Sequence, residues 1–387
     1  MQTQHNQTNF TAHIRGAYGP GNLGDDVLLE VCINILRKYF PEQTTSVGLK
    51  NPKNPGYLRK YQCRFIHIST PIKTDFLFYG GGGQFFEFKN KKHHESTIQK
   101  LLEANRQGVT LTDIAKIFIN RALKKNNISF QKSAAICLGL GPFENPSADS
   151  IRSKISPFLR SDYKTVRDNE SFQIAAKYTH DLKIYTDPTF LTGHWLTSPI
   201  KTRPTDGSAV GVILRKWKLN DHGNTVILNT IAAARLLRKS GKMVSLISFY
   251  RDYDKDLIES VKEFDWIIWD PQKNSPSDFI EELSNTFDIL VSTRAHGVLL
   301  PAQAGIPSVA VGIEPKLKNI HDFLPNGTLY CDGKDVSVIF NQALSCLERK
   351  RELVLKLNSD VRKQQILAES FLKDFDSWIK TAIEKLQ

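Results

Sequence analysis

The chain has 387 residues, of which 40% are hydrophobic and 24% charged, as in an ordinary soluble globular protein with room for two domains of about 190 residues. No window reaches the roughly 18 uninterrupted apolar residues that a membrane-spanning helix needs. The net charge of +12 is spread along the chain, and its local concentrations, "KNKKHH" (89–94) and residues 347–365, lack the interleaved aromatic residues of a base-stacking surface, which argues against nucleic acid as a partner.

Short β-rich runs alternate with helical patterns throughout, which is typical of an α/β fold with parallel sheets. Pro41 ends the first predicted helix, because proline cannot continue a helical ladder. The predicted elements of the first half are the strand "TAHIRGAYG" (11–19), the helix "DDVLLEVCINILRKYF" (25–40), and the strands "DFLFYGGGG" (75–83), "SAAICLGLGPF" (133–143) and "LKIYTDPTFL" (182–191).

The same cycle restarts after "RPTDGS" (203–208), which predicts a linker. The elements predicted after it are the strand "AVGVILRKW" (209–217), the helix "TVILNTIAAARLLRKSG" (225–241), the strands "KMVSLISFY" (242–250) and "DWIIWD" (265–270), a helix around residues 278–285, and the strands "FDILVSTRAHG" (287–297) and "PSVAVGI" (307–313). We therefore predict two doubly wound, Rossmann-like α/β domains, residues 1–200 and 201–387, facing a cleft, with the last helix free to pack back on the first domain. In such pairs the active site lies where the strand carboxyl ends of both domains meet.

The most informative segment is "STRAHG" (292–297), which follows a predicted strand and precedes an apolar helical run. Arg294 and His296 then lie beside a helix N-terminus, where the guanidinium and the helix dipole both favour an anion. His296 can act as an acid near neutral pH. The alternative is an arginine in an interdomain salt bridge with a histidine packed beneath it. Pro301 is expected to kink the following helix or to delay its start.

Other charged residues also follow predicted strands of the second half. Arg215 and Lys216 fit either a bidentate anion clamp or a solvated strand end, and with Arg294 on the same face of the sheet a two-arginine anion site becomes the better interpretation. Glu314 could accept a hydrogen bond from a sugar hydroxyl and Lys316 could contact an anion, or both could belong to a polar loop.

Two glycine-rich segments precede these residues. In "GAYGPGNLGDDVLLE" (16–30), Asp25 as the N-cap and Asp26 in the first turn would complement the helix dipole, or a carboxylate there could accept from a sugar hydroxyl or act as its base. Carboxylates suit a polyol and would repel a phosphate. The run at 80–83 is costly to order, so we expect a close backbone approach there, or a tight turn. It lacks a nucleotide-binding fingerprint.

Three further segments are interpreted as structural. "GPFEN" (141–145) and "TDPTF" (186–190) predict strand-terminating turns, and in "VRDNES" (166–171) Asp168 or Asn169 predicts a helix cap. The scattered cysteines have no paired metal-ligand spacing, so we expect reduced thiols and no metal site. These cysteines are Cys32, Cys63, Cys137, Cys331 and Cys346.

As an ordered set, these segments resemble the polysaccharide pyruvyl transferase family. The matching elements, between about residues 13 and 318, are the Gly-Asn-x-Gly-Asp-Asp turn at 21–26, the glycine run 80–83, Gly139 with Gly141-Pro142, Arg167-Asp168, Asp187-Pro188, Arg215, the Arg-x-His at 294–296 and Pro315-Lys316. The resemblance implies a fold like that of GT-B glycosyltransferases. It also implies phosphoenolpyruvate as a co-substrate, no cofactor, and a pyruvate ketal made on a sugar of a cell-surface or extracellular polysaccharide precursor, with release of phosphate. The chain departs from the family at Ala295, where a bulky apolar residue is frequent, and at Pro301.

The resemblance implies a role for each matching residue. The donor site would consist of Arg215, Arg294 and His296, with Lys316 added to it, and His296 would protonate the methylene carbon of phosphoenolpyruvate. His296, Arg294 and Asp25 are the predicted catalytic residues. The predicted acceptor side consists of Gly21, Asn22, Asp25, Asp26, Gly81, Gly82, Gly83 and Gln84.

Two other functions stay open: a GT-B glycosyltransferase with a nucleotide-sugar donor and Glu314 on its ribose, and an inactive glycan-binding protein or scaffold. The start "MQTQHNQTNF" has no basic segment followed by an apolar one, so we expect no signal peptide and a cytoplasmic protein. Because lipid-linked oligosaccharides are common acceptors of such enzymes, the basic stretch 347–365 could hold the chain at the anionic inner face of the membrane.

Overall fold

The computed structural model describes residues 8–87, 128–143, 146–197, 208–217, 220–314 and 316–386. The segment "KNKKHH", the linker up to residue 207 and the boundary predicted at residue 200 lie outside the described residues, so the domain boundary stays a prediction. We refer to residues 8–197 as the N-terminal half and to residues 208–386 as the C-terminal half.

The N-terminal half contains a parallel seven-stranded sheet, in the spatial order β3-β2-β1-β4-β5-β6-β7. Its strands are β1 (Thr8–Arg15), β2 (Thr45–Leu49), β3 (Arg64–His67), β4 (Ile72–Glu87), β5 (Ile128–Phe143), β6 (Tyr163–Val166) and β7 (Lys183–Ile184). Its helices are α1 (Leu23–Leu36), α2 (Ala148–Lys154), α3 (Ser156–Leu159) and α4 (Asn169–Ala176). Among the described residues of this half, 3₁₀ turns cover Glu42–Thr44, Gly56–Lys60, Pro188–Phe190 and Thr192–His194.

The C-terminal half contains a parallel six-stranded sheet, in the order β10-β9-β8-β11-β12-β13. Its strands are β8 (Ala209–Leu214), β9 (Met243–Ser248), β10 (Trp266–Ile268), β11 (Ile289–Ser292), β12 (Ser308–Val311) and β13 (Thr328–Cys331). Its helices are α5 (Asp221–Lys239), α6 (Arg251–Ser260), α7 (Pro276–Thr286), α8 (His296–Ala302), α9 (Lys316–Phe323), α10 (Val336–Glu348) and α11 (Lys350–Glu384). Two parallel sheets flanked by helices confirm the predicted α/β class.

Several predicted boundaries were wrong. Strand β4 continues through the glycine run at 80–83 to Glu87, so the alternative of a tight turn at these glycines was wrong. The strand predicted at 182–191 is only two residues long. Asp187 stops it by accepting a hydrogen bond from the backbone N–H of Thr189, which starts a 3₁₀ turn at Pro188, a residue that has no N–H for a strand ladder. Pro301 does lie inside α8, which ends at Ala302.

Helix α11 begins beside the second sheet and continues across the first. Lys350 near its start forms an ion pair with Asp288, which precedes β11. Further along, Asp374 accepts a hydrogen bond from the Tyr163 hydroxyl at 2.7 Å, and the Phe375 ring packs against Phe78. The helix therefore ties the two halves together. No helix among the described residues is both long enough and apolar enough to cross a membrane.

The strand carboxyl ends of both sheets face each other across a cleft. At one side of it, the backbone N–H of Leu23, the first residue of α1, donates to the carbonyl of Phe249 just after β9, at 3.0 Å. This places the start of α1 directly opposite the loops that follow the strands of the second sheet.

Candidate active site between the two sheets

A cavity of about 360 Å³ lies in the cleft, and most of its walls follow strand ends. The N-terminal half contributes Ala17, Asn22, Asp25, Gly83, Gly141 and Pro142, and the C-terminal half contributes Arg215, Phe249, Tyr250, Tyr253, Arg294, Ala295, His296 and Glu314. The cavity thus brings together Arg215, Arg294, His296 and Asp25, which the sequence analysis selected from four separate segments.

Arg294 is buried and held from several sides. Its Nη2 lies 2.5 Å from Oδ2 of Asp254, and its Nε donates to the carbonyl of Leu214 at 3.0 Å. Burial and the charge of Arg215 lower the pKa of Arg294, and the opposing charge of Asp254 limits this effect. The salt bridge that was the alternative interpretation exists, but it lies within the C-terminal half. A guanidinium has five N–H donors, so two fixed contacts leave donors for a ligand.

Arg215 is oriented in the same way on the neighbouring strand end. Its Nη1 lies 2.8 Å from Oε1 of Glu314, and its guanidinium lies over the Trp217 ring, 5.0 Å from the ring centroid. The Arg215 side chain is 28% exposed. Lys216 forms an ion pair with Asp256 and does not line the cavity. Lys316 is the first residue of α9, and its side chain lies outside the described residues.

His296 contacts a carboxylate of the other half. Its Nε2 lies 3.6 Å from Oδ2 of Asp187, and this nitrogen is buried without a closer partner among the described residues. Asp187 also accepts from Nη1 of Arg167 at 2.7 Å and from the Thr189 hydroxyl at 2.8 Å. Burial alone would raise the pKa of Asp187, but His296 and Arg167 outweigh it and hold that pKa well below its usual range. Asp187 is therefore a buried carboxylate that orients the histidine ring.

Gly24 supports the same ring from helix α1. A Cβ at residue 24 would lie 2.1 Å from Nδ1 of His296, far inside van der Waals contact. Residue 24 must therefore be a glycine, because the imidazole of His296 packs directly on its Cα. Sequence reasoning expected this turn to face a ligand, and part of it faces the histidine.

The two adjacent aspartates point in different directions. Asp25 lines the cavity, and its Oδ2 accepts from Nδ2 of Asn22 at 2.6 Å. Asp26 is buried and accepts from the backbone N–H of Gly21 at 2.9 Å and from Nε1 of Trp269 at 2.8 Å. Burial raises the pKa of Asp26 to about 8. Asp26 therefore links α1 to the C-terminal half and does not line the cavity, contrary to its predicted acceptor-side position.

The predicted helix cap also differs. Helix α1 begins at Leu23, so Asn22 is its N-cap residue, without a side-chain capping bond, and both aspartates lie in the first turn. The N-cap assignment of Asp25 was wrong, because the helix starts two residues earlier. The capping prediction for Asp168 is confirmed, since its carboxylate accepts from the backbone N–H of Ser171 at 2.8 Å.

The glycines at 80–83 are needed mainly by helix α1. A Cβ at Gly81 would lie 2.6 Å from Cδ2 of Leu28, and one at Gly80 would lie 2.5 Å from Sγ of Cys32. The close approach that the sequence predicted is therefore that of a helix to a strand. Gly83 does line the cavity. Gly82 has φ +84, and the Gln84 amide donates back to the Gly81 carbonyl at 3.2 Å.

Asp187, Arg167 and Asp254 were not predicted as site residues, although the first two belong to segments that carry the family resemblance. Asp187 was interpreted as a turn residue, which it also is, and its contact with His296 joins residues far apart in sequence. Among the described residues, no group of three or more histidine, cysteine or acidic side chains is arranged to hold a metal ion. The five cysteines are free and buried.

Comparison with known proteins places these observations in a family. The sequence profile of the family described as polysaccharide pyruvyl transferase matches residues 22–315. Two solved structures with a similar fold are those of Anabaena HepE with UDP-glucose (TM-score 0.54, 10% identity, 96% of this chain and 99% of that chain) and with UDP and glucose (TM-score 0.52, 11% identity, 96% and 99%). No curated protein matches the chain significantly. The structural likeness confirms the GT-B-like arrangement of two Rossmann-like units.

Proposed function

Because the chain belongs to the polysaccharide pyruvyl transferase family, we propose that it moves the enolpyruvyl group of phosphoenolpyruvate onto a sugar of a polysaccharide precursor. The product is a pyruvate ketal across two hydroxyls of that sugar, and phosphate is released. A free or lipid-linked glycan serves as the acceptor, and the reaction needs no cofactor, because two guanidinium groups can neutralise the donor.

The observation that carries this proposal is the division of charge in the cavity. Arg215 and Arg294 lie on the wall of the C-terminal half, with His296 beside them, and Asp25 lies on the opposite wall. Phosphoenolpyruvate carries a carboxylate and a phosphate, which two planar guanidinium groups can hold in a fixed geometry. A carboxylate suits the opposite side, where a sugar hydroxyl must lose its proton.

The proposed chemistry assigns one proton transfer to each side. His296 gives a proton to the methylene carbon C3, which becomes a methyl group and leaves C2 electrophilic. An acceptor hydroxyl adds to C2 and passes its proton to Asp25. The bond from C2 to the phosphate oxygen then breaks, and the second hydroxyl adds to C2 and closes the ketal. Of the two hydroxyl protons, one replaces the proton that His296 gave and the other leaves with phosphate.

Asp187 acts on His296 as a positioning residue in this scheme. Its contact with Nε2 holds the imidazole at the wall of the cavity, where the acid must reach C3 of the donor. Arg167 in turn fixes this carboxylate, because its Nη1 lies 2.7 Å from Oδ2 of Asp187.

A nucleotide-sugar donor is the competing function, because the structurally similar HepE was crystallised with UDP-glucose. Identity to HepE is 10%, which leaves the fold as the common feature. A glycosyltransferase would place a diphosphate near Arg215 and Arg294, and the donors can be separated by direct binding.

Thermal unfolding with each donor tests the proposal. Phosphoenolpyruvate at about 100 times its Kd should stabilise the protein by ~2.7 kcal/mol, a shift of several degrees in Tm at about 2–4 °C per kcal/mol. UDP-sugars and GDP-sugars should give no shift. A shift with a nucleotide sugar and none with phosphoenolpyruvate would replace the proposal by a glycosyltransferase.

The variants for this test are Arg215→Ala and Arg294→Lys, each compared with its own ligand-free Tm. Lysine is preferred at 294, because removing the charge would leave Asp254 buried and unpaired, at a cost of about 3–5 kcal/mol. Both variants should lose most of the ligand-induced shift. Arg235→Ala is the matched control, because Arg235 forms an exposed ion pair with Glu263 outside the cavity.

A further inference from the structure

A second cavity of about 440 Å³ adjoins the first in the cleft. It shares Pro142 and Glu314 with the active-site cavity, so a ligand in one can extend into the other. Its remaining walls are Phe143 and Glu170 from the N-terminal half and Trp217, Asn220, His222, Gly312, Ile313, Tyr330, Asp332 and Lys334 from the C-terminal half. The mechanism above uses none of these remaining residues.

The charges of this second cavity do not suit an anion. Three carboxylates line it: Glu170, Glu314 and Asp332. Its lysine, Lys334, lies 3.5 Å from Asp332 and is already offset by it. Arg215 at the junction is engaged by Glu314. A phosphate or diphosphate would meet more negative than positive charge here. Neutral hydroxyls can donate hydrogen bonds to the carboxylates without electrostatic repulsion.

Tyr330 supplies an apolar face between these polar groups, whereas Trp217 of the same cavity is 4% exposed and has the Arg215 guanidinium over its ring. Trp217 is fixed by its Nε1, which donates to Oδ1 of Asn220 at 2.9 Å. The Tyr330 ring stacks on His321, with ring centroids 5.9 Å apart. Aromatic faces carry negative electrostatic potential and attract the C–H edges of a sugar ring, while the amide and the carboxylates bind its hydroxyls. A hydrogen bond from Asn319 to Glu170 joins the two halves beside the cavity.

We propose that this second cavity is a subsite for a neutral sugar, namely the residue of the glycan next to the one that receives the pyruvyl group. The proposal rests on the proposed function, because that function defines which sugar receives the pyruvyl group and which sugar is its neighbour. It implies that the acceptor is recognised as at least a disaccharide, with one ring beside Asp25 and the next ring against Tyr330.

Binding of small saccharides tests the subsite. The probes are lactose, cellobiose, maltose and N-acetyllactosamine, each compared with the methyl glycosides of its constituent sugars, and UDP, all measured by saturation-transfer NMR and calorimetry. At least one disaccharide should bind about tenfold more tightly than either methyl glycoside, which corresponds to ~1.4 kcal/mol. Tyr330→Ala should abolish this preference, and Tyr330→Phe, which keeps the aromatic face, should retain it.

Three results would overturn the subsite: no disaccharide preferred over its monosaccharides, an unchanged preference in Tyr330→Ala, or UDP binding that Tyr330→Ala removes. The last would make the cavity a nucleotide site. Phosphoenolpyruvate binding is measured in the same samples and should be equal in wild type and both Tyr330 variants. If phosphoenolpyruvate fails to bind while the disaccharide preference persists, the proposed donor is wrong and the saccharide subsite stands.

Discussion

Oδ2 of Asp187 lies 3.6 Å from Nε2 of His296, and this contact joins a turn of the N-terminal half to the first residue of α8 in the C-terminal half. Arg167 forms an ion pair with the same carboxylate oxygen of Asp187, at 2.7 Å. The proposed acid is therefore oriented by a carboxylate that belongs to the opposite side of the cleft. Any relative movement of the two halves changes the position of the acid as well as the size of the cavity.

Asp187→Asn should lower kcat by at least about tenfold, a part of the 10²–10⁴-fold that a positioned acid contributes. KM for phosphoenolpyruvate should change little, because Asp187 does not line the cavity. The split between a lowered kcat and an unchanged KM distinguishes a positioning role from a binding role. Phosphate release with a glycan acceptor measures both quantities.

Stability must be measured alongside, because Asp187 forms a buried ion pair whose loss can cost about 3–5 kcal/mol. Glu259→Gln, in an exposed ion pair of α6, is the control for the loss of one carboxylate. A lower Tm with an unchanged kcat would show that Asp187 is merely structural.

Gly24→Ala should displace the His296 ring and lower pyruvyl transfer by more than about tenfold, even though alanine is favoured over glycine in helices by about 1 kcal/mol. The added Cβ would lie 2.1 Å from Nδ1 of His296, so the ring must move. The expected result is a folded protein with little activity and a lower Tm, because overpacking costs about 1–3 kcal/mol and outweighs the gain in helix propensity.

Gly193→Ala is the matched control for this variant, because a Cβ there meets no atom within 4 Å. It should retain both activity and stability. Wild-type activity in Gly24→Ala would mean that the position of His296 in the structure is unimportant for the reaction.

Much of this site followed from sequence, because parallel strands place the residues after them at one edge of the sheet. Arg294 and His296 follow β11, Arg215 follows β8, and all three reach one cavity. Local order along the chain was enough for this part, since each residue depends only on the strand before it.

Contacts between distant segments could not be predicted in the same way. The glycines at 80–83 and the carboxylate of Asp26 have features typical of a ligand site, yet helix α1 and Trp269 occupy the space around them. Asp187 has the features of a turn residue, and its partner His296 lies in the other half of the chain, more than 100 residues later. The sequence does not distinguish a glycine that lets a neighbouring side chain pack on its Cα from one that lets a bound ligand do so.

We also propose peripheral contact with an anionic membrane through residues 347–365, worth about 1 kcal/mol per free cation near the surface. Leu355 there is 73% exposed. The contact should be weak, because Lys356 lies 2.5 Å from Glu352 and Lys363 lies 3.4 Å from Asp360. Sedimentation with phosphatidylserine vesicles should show binding at low salt that is lost at high salt.

The variant for this test is the double charge reversal Arg351→Glu with Lys356→Glu, which should abolish vesicle binding. Lys239→Glu with Lys255→Glu reverses the same charge at other exposed sites and should retain it. Binding that persists in high salt, or that both double variants lose equally, would contradict a specific role for residues 347–365.

Asp26 should make the protein less stable as the pH rises. Its pKa is about 8 in the folded chain, because of burial, against about 3.9 in an unfolded chain. Between these values the folded state binds a proton that the unfolded state releases, so this group lowers the free energy of unfolding by up to about 1.4 kcal/mol per pH unit as pH increases.

Asp26→Asn, which has the shape of the protonated acid and can still accept from Gly21 and Trp269, should remove this dependence. Urea unfolding at pH 5, 6, 7 and 8 should show that the free energy of unfolding of Asp26→Asn increases relative to wild type at each step. The exposed control Asp181→Asn should keep a constant difference from wild type. Parallel curves for Asp26→Asn and wild type would mean that Asp26 stays ionised in the folded protein.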